Sequence, residues 1–400
     1  MPEENDIQTV RVRKIHHRGR ISQVGIYLGK QLRFFVNESD WKVLPMAAVI
    51  AVLVGMVIRN RLFINMEGTL IGAFSLACLA IWNGCFNSIQ AVCRERAIIK
   101  REHRSGMHVS SYVAAHMIYQ LLLCLAQTAL TMYVLKFLGV QFSRQAGMIT
   151  RWMIADIGIS MLLISYAADM MSLFISSVSR TTTGAMTVMP FILIFQLVFS
   201  GGIIPLPAGV QKFSDYTISS YGIRAIVSQS NYNNLPMATG WNTLNSMRDA
   251  EINETITIGQ LLDLLDSPAV EKRRDLEVID QSAVSAAAGI TGIPEEIITS
   301  PVEPVTLGEI TDFLKSSRWL QENRDKSYRV KATVGEVIEI LGEENVRDTV
   351  QQRTAEAAQK AEYTHSIGNV AGNWTMLLLF IFAFAALATL ALEMIDKDKR

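Results

Sequence analysis

Whole classes of chemistry are excluded because their residue patterns do not occur in the sequence. There is no Gly-x-x-x-x-Gly-Lys-Ser/Thr phosphate loop, no His-Glu-x-x-His pair and no Gly-x-Ser-x-Gly elbow. The chain therefore does not hold ATP in the usual phosphate cradle, and it lacks the zinc-protease and serine-hydrolase signatures. Cysteine is scarce: Cys78, Cys85, Cys93 and Cys124 all lie inside or at the edge of apolar segments. There they act as small hydrophobes, and neither a disulfide framework nor a Cys/His metal spacing results. Charge is also sparse, at 18% of residues with zero net charge, and no nucleic-acid partner is expected. The opening MPEENDIQTV has no apolar core of the kind a cleavable signal peptide carries, so the first span is expected to direct insertion.

What the sequence does have is apolar length. Half of the 400 residues are hydrophobic, and crossing a bilayer core takes roughly 20 mostly apolar helical residues. Segments Val43–Ile58, Thr69–Val92, Ser110–Leu135, Trp152–Val178, Gly184–Ile204 and Trp374–Ile395 approach that requirement. The first is the shortest, about 24 Å of helix, and Trp41, Lys42, Arg59 and Arg61 flank it as snorkelling anchors. These segments predict an all-α membrane protein with six transmembrane helices.

Basic residues in short loops favour the cytoplasm. With the N-terminus inside, Arg11, Arg13, Lys14, Arg18, Arg20, Lys30, Arg33, Lys42, the Arg94–Arg104 cluster, Arg180, Lys397, Lys399 and Arg400 fall on one side. Only Arg59, Arg61, Lys136, Arg144 and Arg151 fall in the short loops opposite. Both termini are thus expected in the cytoplasm of a multi-pass plasma-membrane protein.

The predicted organisation follows from these spans. Residues 1–40 form a basic N-terminus ending in an amphipathic interfacial helix, Ile21 to Asn37, that lies on membrane lipid. Residues 41–205 hold the first five spans, 206–373 an extracytoplasmic loop and acidic helical insert, 374–395 the sixth span, and 396–400 a cytoplasmic tail. Within the insert, Thr257-Ile-Gly-Gln260, Thr306-Leu-Gly-Glu309 and Thr333-Val-Gly-Glu336 each precede an apolar-periodic run. Each is read as a capping box that locates a helix start. The insert's acidic excess is read as a solvated surface, with docking of a cationic peptide as the alternative. Asn253-Glu-Thr255 matches a glycosylation acceptor.

The most specific segment joins the second and third spans: Glu95-Arg96-Ala-Ile-Ile-Lys100-Arg101-Glu102-His103-Arg104-Ser-Gly106, followed by Tyr112. Acids and bases alternate at helical spacing around Ile98 and Ile99. A second stretch runs Phe199-Ser200-Gly201-Gly202-Ile203 and continues to Ser219-Ser220-Tyr221-Gly222-Ile223-Arg224-Ala225. Together they resemble the coupling helix, here residues 94–106, and the F-S-G turn with helix re-entry of ABC-2-type permeases. The resemblance extends to the transmembrane domain of G-subfamily ABC exporters, over residues 21–235 and 373–395.

That resemblance implies a permease subunit that exports a hydrophobic or amphipathic substrate (lipid, peptide or drug). A separate ABC ATPase subunit would supply ATP and Mg, since this chain binds no cofactor itself. A second permease copy or homologue would complete the path. Glu95, Arg96, Arg101, Glu102 and Gly106 would couple to the ATPase. Asn83 and Asn87 would face the translocation path, with helix packing as their alternative role. Phe199, Gly202 and Ile203 would form the gate, where Gly202 departs from the bulky residue of the family.

Two other function classes remain open on the residues alone. One is an intramembrane enzyme using Asp156, Asp169 or His116, because a mid-span carboxylate costs about 2.5 to 3.5 kcal/mol to insert and must face protein or water. The other is a membrane-anchored receptor or scaffold whose acidic outer domain binds a ligand.

Overall fold

The computed structural model describes residues 19–37, 40–142, 147–202, 206–207, 209–279 and 305–394. It divides into two compact units, residues 1–235 with 358–400, and residues 236–357.

The first unit is a helical bundle. It opens with α1 (Arg20–Asn37), followed by α2 (Val43–Ile58), α3 (Met66–Ser88), α4 (Ala91–Arg104) and α5 (Val109–Phe137). It continues through α6 (Met153–Val178), α7 (Thr182–Val198) and α8 (Ile218–Gln229). Among the described residues, five helical stretches are long and apolar enough to cross a membrane, beginning at Asp40, Met66, Val109, Met153 and Ile367. The fifth predicted span, Gly184–Ile204, is shorter than expected. Its helix α7 has 17 residues and ends at Val198, about 26 Å against a hydrocarbon core of about 30 Å. The chain turns at Gly201, whose φ of +67° suits a residue without a Cβ. Residues 203–204, the end of that predicted span, lie outside the described residues.

Small residues set the packing. A Cβ on Gly84 would stand 2.0 Å from the carbonyl oxygen of Ser165, so α3 and α6 touch backbone to backbone. Ala73, Ala77 and Ala80 on α3 and Ala167 and Ala168 on α6 are likewise buried. Membrane helices associate through such close van der Waals fit, since lipid offers no hydrophobic drive. Outward, α2 exposes Met46, Val49, Leu53 and Met56, the composition of a lipid-facing surface.

Helix α8 is an unusual element, buried almost along its length among α3, α6 and the last helix. A helix start inside an apolar medium leaves amides that must be paired. Gln196 of α7 meets this need, since its Oε1 accepts from the amides of Ile218 at 2.9 Å and Ser219 at 3.3 Å. Ser219 Oγ donates to the Gln196 carbonyl in return.

The second unit contains α9 (Ala238–Ser246), β1 (Glu251–Thr257), α10 (Ile258–Leu265), α11 (Pro268–Glu271), β2 (Glu277–Ile279) and β3 (Val305–Thr306). It continues with α12 (Leu307–Ser316), α13 (Arg318–Glu322), β4 (Ser327–Thr333), α14 (Val334–Leu341) and α15 (Glu343–Ala358). The last membrane helix, α16 (Ile367–Glu393), belongs to the first unit. All three predicted capping boxes are present, at Thr257, Thr306 and Thr333.

The insert is not purely helical, however. Strands β1 and β4 pair antiparallel from Glu251–Thr333 to Thr257–Ser327, and β2 pairs with β3. Each capping-box threonine is also a strand's last residue. A Thr at an N-cap already has extended backbone, so a strand can run straight into it. The β-branched Thr and Val residues preceding the boxes favour that ribbon. The glycosylation-type Asn253 lies on β1, opposite Lys331.

Candidate functional site: the α4 connection and the polar interior

Helix α4 forms because its acids and bases recur at helical spacing, and it is anchored at both ends. At its start, Ser176 Oγ, in the last turn of α6, accepts from the amides of Val92 and Cys93, both at 3.1 Å. Arg96 returns the contact, donating to the carbonyls of Ser177 at 2.9 Å and Ser179 at 3.0 Å. Cationic groups are favoured at a helix C-terminus, so Arg96 ties α4 to the end of α6. At the far end Gly106 adopts φ +101°, a left-handed stop that a Cβ would strain.

Helix α1 closes over this connection. Its buried residues are polar, Gln23 and Gln31, while Ile21, Ile26, Leu32 and Val36 are exposed. The amphipathic helix thus gives Gln23 and Gln31 to protein, keeps Val24, Leu28, Phe34 and Phe35 half-buried, and leaves Ile21, Ile26, Leu32 and Val36 outward. Gln23 Nε2 donates to the Gly106 carbonyl at 3.3 Å, and its Oε1 accepts from the His108 amide at 2.9 Å. Lys30 pairs with Glu95 at 3.0 Å, where the Glu95 side chain is 6% exposed. Gln31 bonds His116 Nε2 at 3.0 Å. Tyr27 packs edge-on against Tyr112, with centroids 5.7 Å apart. Burial raises the Tyr27 hydroxyl to a pKa of about 12, helped by the charge and hydrogen bond of Glu102.

The residues assigned to coupling therefore divide into two sets. Glu95, Arg96 and Glu102 face inward, toward α1 or the end of α6, and Gly106 shapes the turn. The exposed surface of α4 carries Ala97, Ile98, Arg101 and Arg104. Lys30, Gln23 and Tyr27 were not singled out in the sequence. Their signal is a polar i, i+4, i+7 stripe within an otherwise amphipathic helix.

Asn83 and Asn87 both lie on α3. Asn83 is buried. Asn87 exchanges hydrogen bonds with Gln127 of α5, donating at 2.8 Å and accepting at 3.0 Å. Around this pair, Cys124 Sγ donates to Asp169 Oδ2 at 3.4 Å and Gln120 donates to Ser88 Oγ at 2.7 Å. Asn87 is half-buried and bonded across to α5, and it also lines a small cavity with Gln90, Tyr119 and Gln120. The exposed stripe of α3 is Ile71, Trp82 and Phe86.

Of the three residues considered for intramembrane catalysis, Asp156 and Asp169 lie on α6 and His116 on α5. Asp156 accepts from the amides of Ile149 and Thr150, both at 2.9 Å, and so organises the entry to α6. Asp169 sits 13 residues further along the same helix, about 20 Å away. His116 bonds Gln31, and among the described residues no hydrogen bond joins it to either carboxylate.

Of the gate residues, Phe199 caps the end of α7 and packs in tilted contact with Phe195 and Phe213, with ring centroids 4.8 Å and 5.7 Å away. Gly202 is buried against α8, where a Cβ would stand 2.8 Å from Ile223 Cδ1. A larger residue at 202 would require the Ile223 side chain to shift. Ile203 lies outside the described residues. Phe195, Phe199 and Phe213 form an aromatic cluster at this turn.

Residues 33–229 match the family model described as ABC-2 type transporter. No curated protein matches the chain. The matched stretch runs from α1 to the end of α8 and contains the α4 connection, the polar interior and the α7–α8 turn.

Proposed function

Because residues 33–229 belong to the ABC-2 type transporter family, we propose that this multi-pass membrane protein is the permease subunit of an ATP-driven exporter. Its ATPase is a separate polypeptide, and a second permease copy or homologue faces it across the substrate path. The substrate is hydrophobic or amphipathic, and both termini lie in the cytoplasm at the plasma membrane.

The observation that carries this reading is the construction of α4. It is a short, charged helix between two membrane helices, fixed to α6 at one end and to α1 at the other, with Ile98 and Arg101 left exposed. A helix held in this way moves with the spans it joins. A partner seated on its exposed face can therefore transmit rigid-body motion to α3, α5 and α6. Charge bias toward α4 and the N-terminus supports the cytoplasmic assignment of that end.

Copurification tests the proposal. The chain should be recovered with an ATP-binding protein, and Ile98→Asp or Arg101→Ala should lower substrate-stimulated ATP hydrolysis at least tenfold while the permease remains folded. Transport by the purified chain without any nucleotide-binding partner would refute it.

A further inference from the structure

We propose that the cavity between the α2–α3 loop, the end of α5 and the start of α6 binds one anionic phospholipid, with Lys136 and Arg151 taking its phosphate. The cavity has a volume of about 1010 Å³, and its wall is mostly apolar, including Leu62, Phe63, Val140 and Met153. Lys136 and Arg151 are its charged lining residues, and no carboxylate lines it. Neither cation has an ion-pair partner among the described residues. Asp156, the nearest acid in sequence, is already engaged by the amides of Ile149 and Thr150.

Position and strain point the same way. Lys136 is in the last turn of α5 and Trp152 caps the start of α6, which is where helices pass through the headgroup layer. Trp152 is 66% exposed, the placement of an interfacial anchor. Phe63 is held at φ +63°, a costly conformation for an aromatic residue, and its amide is fastened to Thr69 Oγ1 at 3.0 Å. That loop brings the Phe63 ring to the cavity wall beside Phe142, with centroids 6.2 Å apart. An apolar cavity with two unpaired cations fits a ligand with an acyl chain and a phosphate better than a purely polar anion, which would leave the apolar wall uncovered. Retention of such a lipid is a property separate from transport and does not depend on the transport reading.

The test reconstitutes the full chain in nanodiscs of phosphatidylcholine with or without phosphatidylglycerol, and measures phosphatidylglycerol retention by native mass spectrometry together with the melting temperature. Lys136→Gln/Arg151→Gln should weaken apparent affinity about 30-fold, the worth of two interfacial cations, and abolish the gain in melting temperature. Lys272→Gln/Arg318→Gln, which removes two exposed charges from the other unit, should change neither. Equal retention by the wild type and the Lys136/Arg151 variant would overturn the proposal. So would displacement of the lipid by free inorganic phosphate, which would identify a soluble-anion site.

Discussion

Replacing Lys30 with Met removes the counter-ion from a carboxylate that is 6% exposed. At 3.0 Å and an effective dielectric constant of about 20, the pair's attraction is about 5 kcal/mol before desolvation is subtracted. Breaking one side of a buried pair costs about 3–5 kcal/mol, because the remaining charge is stranded. Lys30 is itself 24% exposed, so water reaches it, and the lower end of that range, about 3 kcal/mol, is the expected loss. Lys30→Met/Glu95→Met removes both charges and retains apolar volume, so it should lose much less than Lys30→Met alone. A double-mutant cycle on thermal unfolding in detergent should then give a coupling energy of about 2 kcal/mol or more. Proteolysis should cut α1 in Lys30→Met well before the bundle unfolds. A coupling below about 1 kcal/mol, the value of an exposed pair, would refute the reasoning that α1 is clamped through this contact.

Gly84→Val should abolish accumulation of folded protein, since its Cβ meets the Ser165 backbone at 2.0 Å, whereas Gly72→Ala should be tolerated because it meets the movable Leu62 Cδ1; fluorescence-detected size exclusion separates the two outcomes. Asn87→Leu strands Gln127 inside the bundle and should cost about 1–3 kcal/mol, while Asn87→Leu/Gln127→Leu should recover most of it, as read by melting temperature. If the double variant is the worse one, the Asn87–Gln127 pair is not the main partner of either residue.

Much of the fold was legible in local pattern. Apolar length identified the helices because a bilayer leaves no other place for such segments, and the capping boxes located helix starts because their bonds lie within four residues. The Glu95–Gly106 pattern located α4 for the same reason. The ribbon between Glu251 and Thr333 was not legible, since its pairing joins residues 70 to 82 positions apart in sequence, as the register shows. The early end of α7 was likewise hidden, because apolar character continues past Val198 while the backbone turns at Gly201.

The orientation of side chains separates the two kinds of information most clearly. Sequence by itself determined that this is a helical membrane protein with a charged connection between two spans, because hydropathy and charge periodicity act locally. Only tertiary structure decided that Glu95 faces Lys30, that Asn87 faces Gln127, and that Arg101 remains exposed. Those facings depend on which neighbour covers each helix face. That neighbour is set by close backbone approach at Gly84, by Gln196 capping α8, and by the polar stripe of α1, which are contacts between residues far apart in the chain.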